Sequence, residues 1–405
     1  MARSIPWQIL MVDDDEDLTR QVKEYLETNL ISENEPIQVI TQNDFNRAII
    51  DLAERRIDLV ILDVRLGPVD LDPEPDLDEA GEQVLNKIKE EKFVPVVFFT
   101  ALPNRVKHLE SSLVGVVQKG SPTQLHDLLD SLNSIFSTPL PSVNRALISH
   151  LEAVQRDYMW NFVSDHWSDF GAVNSHTELA YLLGRRLAIS LSQTGIKQLL
   201  GAFPNQQNDI PINGLIHPAQ YYIMPSVETN PLAGDLYRTT TENTETYWIL
   251  LTPSCDLVEG RSRQNAEQVL LAQCLPLENQ NEYLRWRECC LQCIGEKPNP
   301  SKDTIDRHNS AQKKLSSLLK NNRQNSQSER YLFLPGVLGL PDLVVDFQGL
   351  CSKKREYLND LERVASLDSP FSEEILYRFA RYYGRLGTPD LHVDSVLGKL
   401  RSCIK

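Results

Sequence analysis

Apolar residues in the N-terminal part of the chain fall into short, nearly unbroken runs separated by stretches of helical spacing. Ile9 to Val12, Ile37 to Ile40, Ile57 to Leu62, Val94 to Phe99 and Val114 to Gln118 are too short for helices and too continuous for half-exposed strands. Runs of this kind suit parallel strands covered on both faces. Between them Leu18, Val22, Tyr25, Leu26 and Leu30 recur at helical spacing. Ala48, Ile49, Ile50, Leu52 and Ala53 follow Asp44, a candidate N-cap, and predict a helix over 44–56. Val84, Leu85 and Ile88 predict a helix over 81–91, a short helix over 104–113 follows Pro103, and Leu125, Leu128, Leu129, Leu132 and Ile135 predict one over 122–136. Alternating strands and helices make this an α/β unit with a doubly wound parallel sheet.

The residues just after four of these runs turn the pattern into chemistry. The first run leads into Asp13, Asp14 and Asp15, the third into Asp63, the fourth into Thr100 and the fifth into Lys119. Open α/β sheets bind their ligands outside the carboxyl ends of the strands, so these side chains share one rim. Mg²⁺ prefers carboxylates completed by phosphate and water. Clustered acids repel one another, and a divalent cation or the lysine must offset them. A carboxylate can attack phosphorus as a nucleophile once charge on the transferred oxygens is offset. The acids at 13–17 alone would read as a helix start favourable to the dipole; four matched strand ends read as a site.

This constellation resembles the receiver domain of two-component response regulators over about the first third of the chain. The resemblance implies a five-stranded sheet of flavodoxin-like order 2-1-3-4-5. It implies Mg²⁺ held by Asp13, Asp14, Asp63 and the main-chain carbonyl of Arg65. Asp63 would take a phosphoryl group from a histidine kinase or phosphotransfer protein, with Thr100 and Lys119 contacting the phosphoryl oxygens. The setting implied is a bacterial, cytoplasmic phosphorelay. Three features depart from the pattern. Residues 67–81 insert six acids and three prolines beside the site, a solvated loop by composition. Val116 stands where an aromatic switch residue is usual, and Gly120 follows Lys119 where proline is usual.

Charge sharpens the division of the chain. Residues 1–139 hold 13 Lys/Arg against 26 Asp/Glu, a net −13, and the remainder holds 28 against 30, a net −2. The acidic balance argues against nucleic acid as a partner of the first part and leaves the second undecided. No apolar run is long enough to span a bilayer and Met1 to Pro6 has no signal-peptide pattern, so no membrane association is expected. Seven cysteines without a secretion signal suit reduced thiols in a cytoplasm.

Thr138-Pro139-Leu140-Pro141 closes the first domain, giving 1–138, a helical connector over 139–204 and a β-rich α+β domain over 205–405. In the connector Val143, Leu147, Leu151, Val154 and Tyr158 share a spacing near four, an aromatic cluster runs from Met159 to Phe170, and a helix spans 177–192. It lacks the turn glycine and basic recognition helix of a helix-turn-helix reader. Beyond 210, short β-like runs (220–224, 235–237, 247–251, 269–274, 331–334, 343–347) predict a small barrel or curled sheet. Residues 298–330, seven basic against three acidic, predict a mobile excursion; helices are expected at 352–365 and 372–385.

Candidate chemistry in this half is sparse. Cys255, in Thr252-Pro253-Ser254-Cys255-Asp256-Leu257, could be a nucleophile, but nothing in their spacing ties His217 or His308 to it; packing with Asp256 capping a turn is the simpler reading. This segment, with Val345-Asp346, faintly resembles bacterial domains of unassigned function. Cys289 and Cys293 could take two corners of a zinc site with Cys274 and His308, yet no second close pair exists. The resulting expectation is a response regulator phosphorylated on Asp63 whose C-terminal module acts on an unknown protein partner. The alternatives are a phospho-gated hydrolase or ribonuclease, with catalysis by the module not established, and a receiver-like scaffold that no longer cycles.

Overall fold

In a computed structural model the chain forms two units, residues 1–210 and 211–405. The structure describes residues 6–30, 36–64, 80–169, 175–191, 215–242, 244–258, 266–295, 300–323, 328–384 and 391–402.

The first unit is built on β1 (Trp7–Val12), β2 (Ile37–Gln42), β3 (Leu59–Leu62), β4 (Val96–Thr100) and β5 (Val114–Gln118), all parallel, in the order β2-β1-β3-β4-β5. The unbroken apolar runs are explained by layers on both faces. Ile9, Met11, Ile61, Val97 and Phe99 face α1 (Glu16–Asn29) and α4 (Gln124–Phe136), while Leu10, Val12, Val60, Leu62 and Phe98 face α2 (Phe45–Glu54) and α3 (Ala80–Glu91). Asp44 caps α2 by accepting from the Arg47 amide at 2.8 Å, as its place before the apolar spacing predicts. The helix expected over 104–113 does not form. Two 3₁₀ turns, Pro103–Arg105 and Lys107–Leu109, take its place, because the segment has only Val106 to bury in the core. After β5 and α4, α5 (Leu140–Tyr158) continues into a π-turn over Met159–Val163, and α6 (Ser175–Ser190) follows. The start of α5 is tied to the first sheet: Arg145 lies 4.2 Å above the Trp7 ring, and Arg56 donates to the Arg145 carbonyl at 3.3 Å and to Ser149 Oγ at 3.1 Å.

The second unit is one antiparallel sheet ordered β10-β11-β9-β8-β7-β12-β6. Its strands are β6 (Tyr222–Ile223), β7 (Asp235–Thr241), β8 (Thr244–Leu250), β9 (Gln268–Pro276), β10 (Tyr331–Leu334), β11 (Leu343–Lys354) and β12 (Glu362–Leu367). Its end strands, β10 and β6, do not pair with each other among the described residues, so the sheet described is open and not a closed barrel. α7 (Asn281–Gly295), α8 (Lys302–Leu319), α9 (Phe371–Tyr383) and α10 (Val393–Ser402) complete it. Two expectations are corrected. Residues 302–319 are helical: Ser301 caps the helix through the Thr304 amide at 3.1 Å, and Thr304, Ala311, Leu315 and Leu318 give it a buried stripe inside an Asn/Ser/Lys-rich composition. Residues 352–365 are not a helix. Ser352, Lys353 and Lys354 continue β11 in register with Leu270, Val269 and Gln268, a 3₁₀ turn spans Arg355–Asp360, and β12 begins at Glu362. Strand pairing outweighs the helix propensity of that Lys/Arg/Glu/Leu stretch. Among the described residues no helix is long and apolar enough to cross a membrane.

A cluster of carboxylates and a lysine at the strand ends

Asp13, Asp63 and Lys119 each stand just past a strand end, still held by sheet hydrogen bonding, and Thr100 is the last residue of β4. The Asp13 amide donates to the Gln42 carbonyl at 3.0 Å, the Asp63 amide to Val12 at 3.0 Å and the Lys119 amide to Thr100 at 2.9 Å. The ladder therefore fixes where each side chain emerges. Asp13, Asp14 and Asp63 each offer a carboxylate oxygen, and these atoms all lie within 4.8 Å of one another. Among the described residues this is the one such group of His, Cys, Asp or Glu. Asp13 and Asp63 are 2% and 4% exposed, while Asp14 faces solvent.

The ammonium of Lys119 sits between the two buried carboxylates, 2.6 Å from Asp63 Oδ2 and also in contact with Asp13 Oδ2. Its Nζ also lies over the Phe99 ring, 5.6 Å from the centroid. Burial pushes the Asp13 carboxyl above the usual carboxylate range, against the opposing pull of Lys119 and of the Asp15 amide, which donates to Asp13 Oδ1 at 3.1 Å. Three carboxylates against one ammonium leave an excess of negative charge in a poorly solvated place, and this donor set of oxygens suits a hard divalent cation. Thr100 is fully buried at the end of β4, its Oγ1 accepting from the Leu102 amide at 3.2 Å. A cleft of about 400 Å³ opens beside Asp13, between the start of α1 and the end of β2. Arg65 and residues 65–79, which include most of the acidic segment 67–81, lie outside the described residues.

Gly120 has φ +82°, a conformation closed to proline with its φ fixed near −65°, so the turn after Lys119 takes a path that the usual proline would not permit. Its amide donates to Gln124 Oε1 at 2.7 Å, at the head of α4. Val116 is half-buried against the layer formed by α2 and α3. Sequence reasoning missed the roles of Phe99 and of the Asp15 amide; an aromatic one residue before Thr100 was the available signal for the first.

In the second unit, Cys255 lies exposed in a 3₁₀ turn with its Sγ donating to Asp256 Oδ1 at 3.3 Å. His217 is used as a cap: its Nδ1 accepts from the Ala219 amide at 3.2 Å. Cys274 is buried in β9, Cys289 and Cys293 are half-buried on α7, and His308 lies on α8; the structure does not gather these four around one point. Asp346 is clamped by Arg330, whose Nε and Nη2 each lie 2.6 Å from its two oxygens, an ion pair holding β11 to the turn before β10.

No protein-family model and no curated protein matches the chain. The N-terminal third is similar to solved response regulator receiver domains. A CheY-like receiver domain from Methylobacillus flagellatus is 20% identical, with 32% of this chain and 99% of that one covered and a TM-score of 0.24. The non-phosphorylated HemR receiver domain from Leptospira biflexa is 26% identical over 33% and 95%, with a TM-score of 0.24. A two-component response regulator from Clostridium difficile is 21% identical over 32% and 96%, with a TM-score of 0.25.

Proposed function

We propose that the first unit is a phosphoacceptor module of a phosphorelay, with Asp63 as the acceptor. The observation that supports it best is the Asp13–Lys119–Asp63 contact at the carboxyl ends of a sheet ordered 2-1-3-4-5. In this reading an Asp63 carboxylate oxygen attacks the phosphorus of a phosphohistidine or small acyl phosphate. The bond from phosphorus to the donor nitrogen or oxygen breaks, and the donor leaves with that electron pair. Asp13, Asp14 and Asp63, with the Arg65 carbonyl, would hold Mg²⁺, which supplies charge neutralisation for the phosphoryl oxygens. Lys119 is already poised at the acceptor oxygen, where it can leave Asp13 and pair with the incoming phosphoryl group. The Thr100 hydroxyl, bonded to the Leu102 amide, would turn toward a phosphoryl oxygen and release that amide.

The domains we infer are a receiver over 1–138, a helical connector over 139–204 and an output module over 205–405 that engages another protein. The donor would be a histidine kinase or a phosphotransfer protein. Transmission cannot use a rotating ring, since Val116 has none, and the turns at 103–109 replace a helix that could shift. The left-handed Gly120 turn at the head of α4 is the remaining lever. The test is Mg²⁺-dependent labelling by acetyl phosphate of the wild-type chain and of Asp63→Asn. Acid-stable, base-labile phosphate on the wild type alone supports the proposal; equal labelling of the two, or none of either, refutes it.

A further inference from the structure

One helix of the second unit is left uncovered by the rest of that unit. α10 (Val393–Ser402) has no buried residue, and each of its ten residues is exposed. Ten residues fall short of the roughly 12–15 that a helix needs to persist unaided in water, and Gly398 inside it lowers its stability further. The sequence nevertheless gives it one apolar side. Val393, Val396, Leu397 and Leu400 stand at i, i+3, i+4 and i+7, a spacing that puts all four on one face of the helix. They are 56%, 38%, 41% and 57% exposed. Ser395, Gly398 and Ser402 occupy the opposite side. A short helix with such a stripe is held by packing on that face, and none of the described residues buries it.

Charge along the stripe selects what covers it. Asp394 and Arg401 are seven residues apart, so they border the stripe on the same edge, one near each end of the helix. They lie beyond the i+3 and i+4 neighbours that pair within one helix, so neither can serve as the other's partner inside a single copy. Lys399 sits farther round, behind Val396 on the other edge. A two-fold axis between antiparallel helices brings like edges together. Asp394 of each copy then meets Arg401 of the other, and Leu397 of each lies against Leu400 of the other. A parallel pair would set acid on acid and guanidinium on guanidinium. The face is therefore complementary to itself in one direction only. We propose that α10 is an isologous dimerisation helix that pairs antiparallel with α10 of a second copy of this chain. Leu397 and Leu400 are its anchors, and the two Asp394–Arg401 contacts fix its direction.

Two short helices bury less than the about 800 Å² per partner of a standard interface, so a weak dimer is expected. The experiment is sedimentation velocity on the full chain from about 5 to 500 µM, the range in which so small a contact associates. The wild type should move from the 46.1 kDa chain toward twice that mass across the range. Leu400→Ser removes an anchor from both copies at once and should weaken association about tenfold or more. Asp394→Arg and Arg401→Asp each set like charges at both contacts, and each should weaken its own homodimer about fivefold to tenfold. Mixed together, with each variant carrying its own dye, the two should associate as the wild type does, because both contacts are attractive again. A wild type that stays monomeric throughout would overturn the proposal and leave the stripe to a different kind of partner. A dimer that Leu400→Ser leaves intact, charge variants that dimerise as the wild type does, or a mixture without recovery would each overturn it as well.

Discussion

Lys119 is the one cation between two buried carboxylates, so its removal is the sharpest test of the site. In Lys119→Met the apolar stem is kept and the charge is lost. Asp13 and Asp63 then face each other with carboxylate oxygens no more than 4.8 Å apart. At an effective dielectric of about 20 their repulsion is at least about 3.5 kcal/mol. That falls within the roughly 3–5 kcal/mol typical of deleting one member of a buried ion pair. The loss should be read by urea-dependent hydrogen exchange in β1 and β3, which reports the first unit alone. We expect about 3–4 kcal/mol lower protection than wild type at pH 7 without divalent metal. Millimolar Mg²⁺ should return much of the loss, because a divalent cation replaces the missing charge. The pH dependence has a definite sign. Burial raises the Asp13 carboxyl above 3.8 in the folded state, so the folded chain binds that proton more tightly than the unfolded chain does. The stability due to Asp13 is therefore present at low pH and falls as pH rises from 3.8 through the raised value. Loss of Lys119 should move that fall to higher pH. A variant as stable as wild type in metal-free buffer, or a loss that Mg²⁺ leaves untouched, would refute the electrostatic account.

Other outcomes follow from the same structure. Arg145→Ala removes the guanidinium above Trp7 and the nearer-buried of two cations 3.9 Å from Asp58, whose carboxyl burial already pushes up. It should cost about 1–3 kcal/mol and speed hydrogen exchange in the first turns of α5. Asp235→Ala strips a fully buried acceptor from the Leu232 amide at 2.8 Å, Ser366 Oγ at 2.6 Å and Arg363 Nη1 at 3.1 Å, leaving Arg363 without this counter-ion and with only the Asn230 and Glu228 carbonyls as acceptors. Denaturant unfolding of the second unit should show a loss of about 3–5 kcal/mol. Native alkylation by iodoacetamide, followed by mass spectrometry, should mark exposed Cys255 well before Cys274, whose thiol is buried and pushed strongly up by burial. Labelling of Cys274 at a comparable rate would contradict the packing of β9.

The strand runs and the placing of Asp13, Asp14, Asp63, Thr100 and Lys119 at strand ends were legible in the sequence because each depends on local pattern. Period and run length separate a doubly covered strand from a helix, and the residue after a strand is at the rim wherever the strand lies in the sheet. What the sequence left open were contests between local preference and distant partners. Residues 352–365 have the composition of a helix, yet nine pairs between β11 and β9 hold their start as strand. Residues 302–319 look like a solvated excursion, yet Leu315 and Leu318 pack in one cluster with Val344 of β11 and the segment is helical. The helix expected at 104–113 lacks an apolar stripe long enough to be held down.

The order of chemistry along the chain was thus fixed by the residues themselves: acids after the first and third strands, a hydroxyl after the fourth, an ammonium after the fifth. Only the tertiary structure decided that Lys119 would bridge Asp13 and Asp63 and that Gly120 would turn left-handed. Such facts depend on distances between residues far apart in sequence, and hydrophobic spacing, which reports burial but not neighbours, has no means of encoding them.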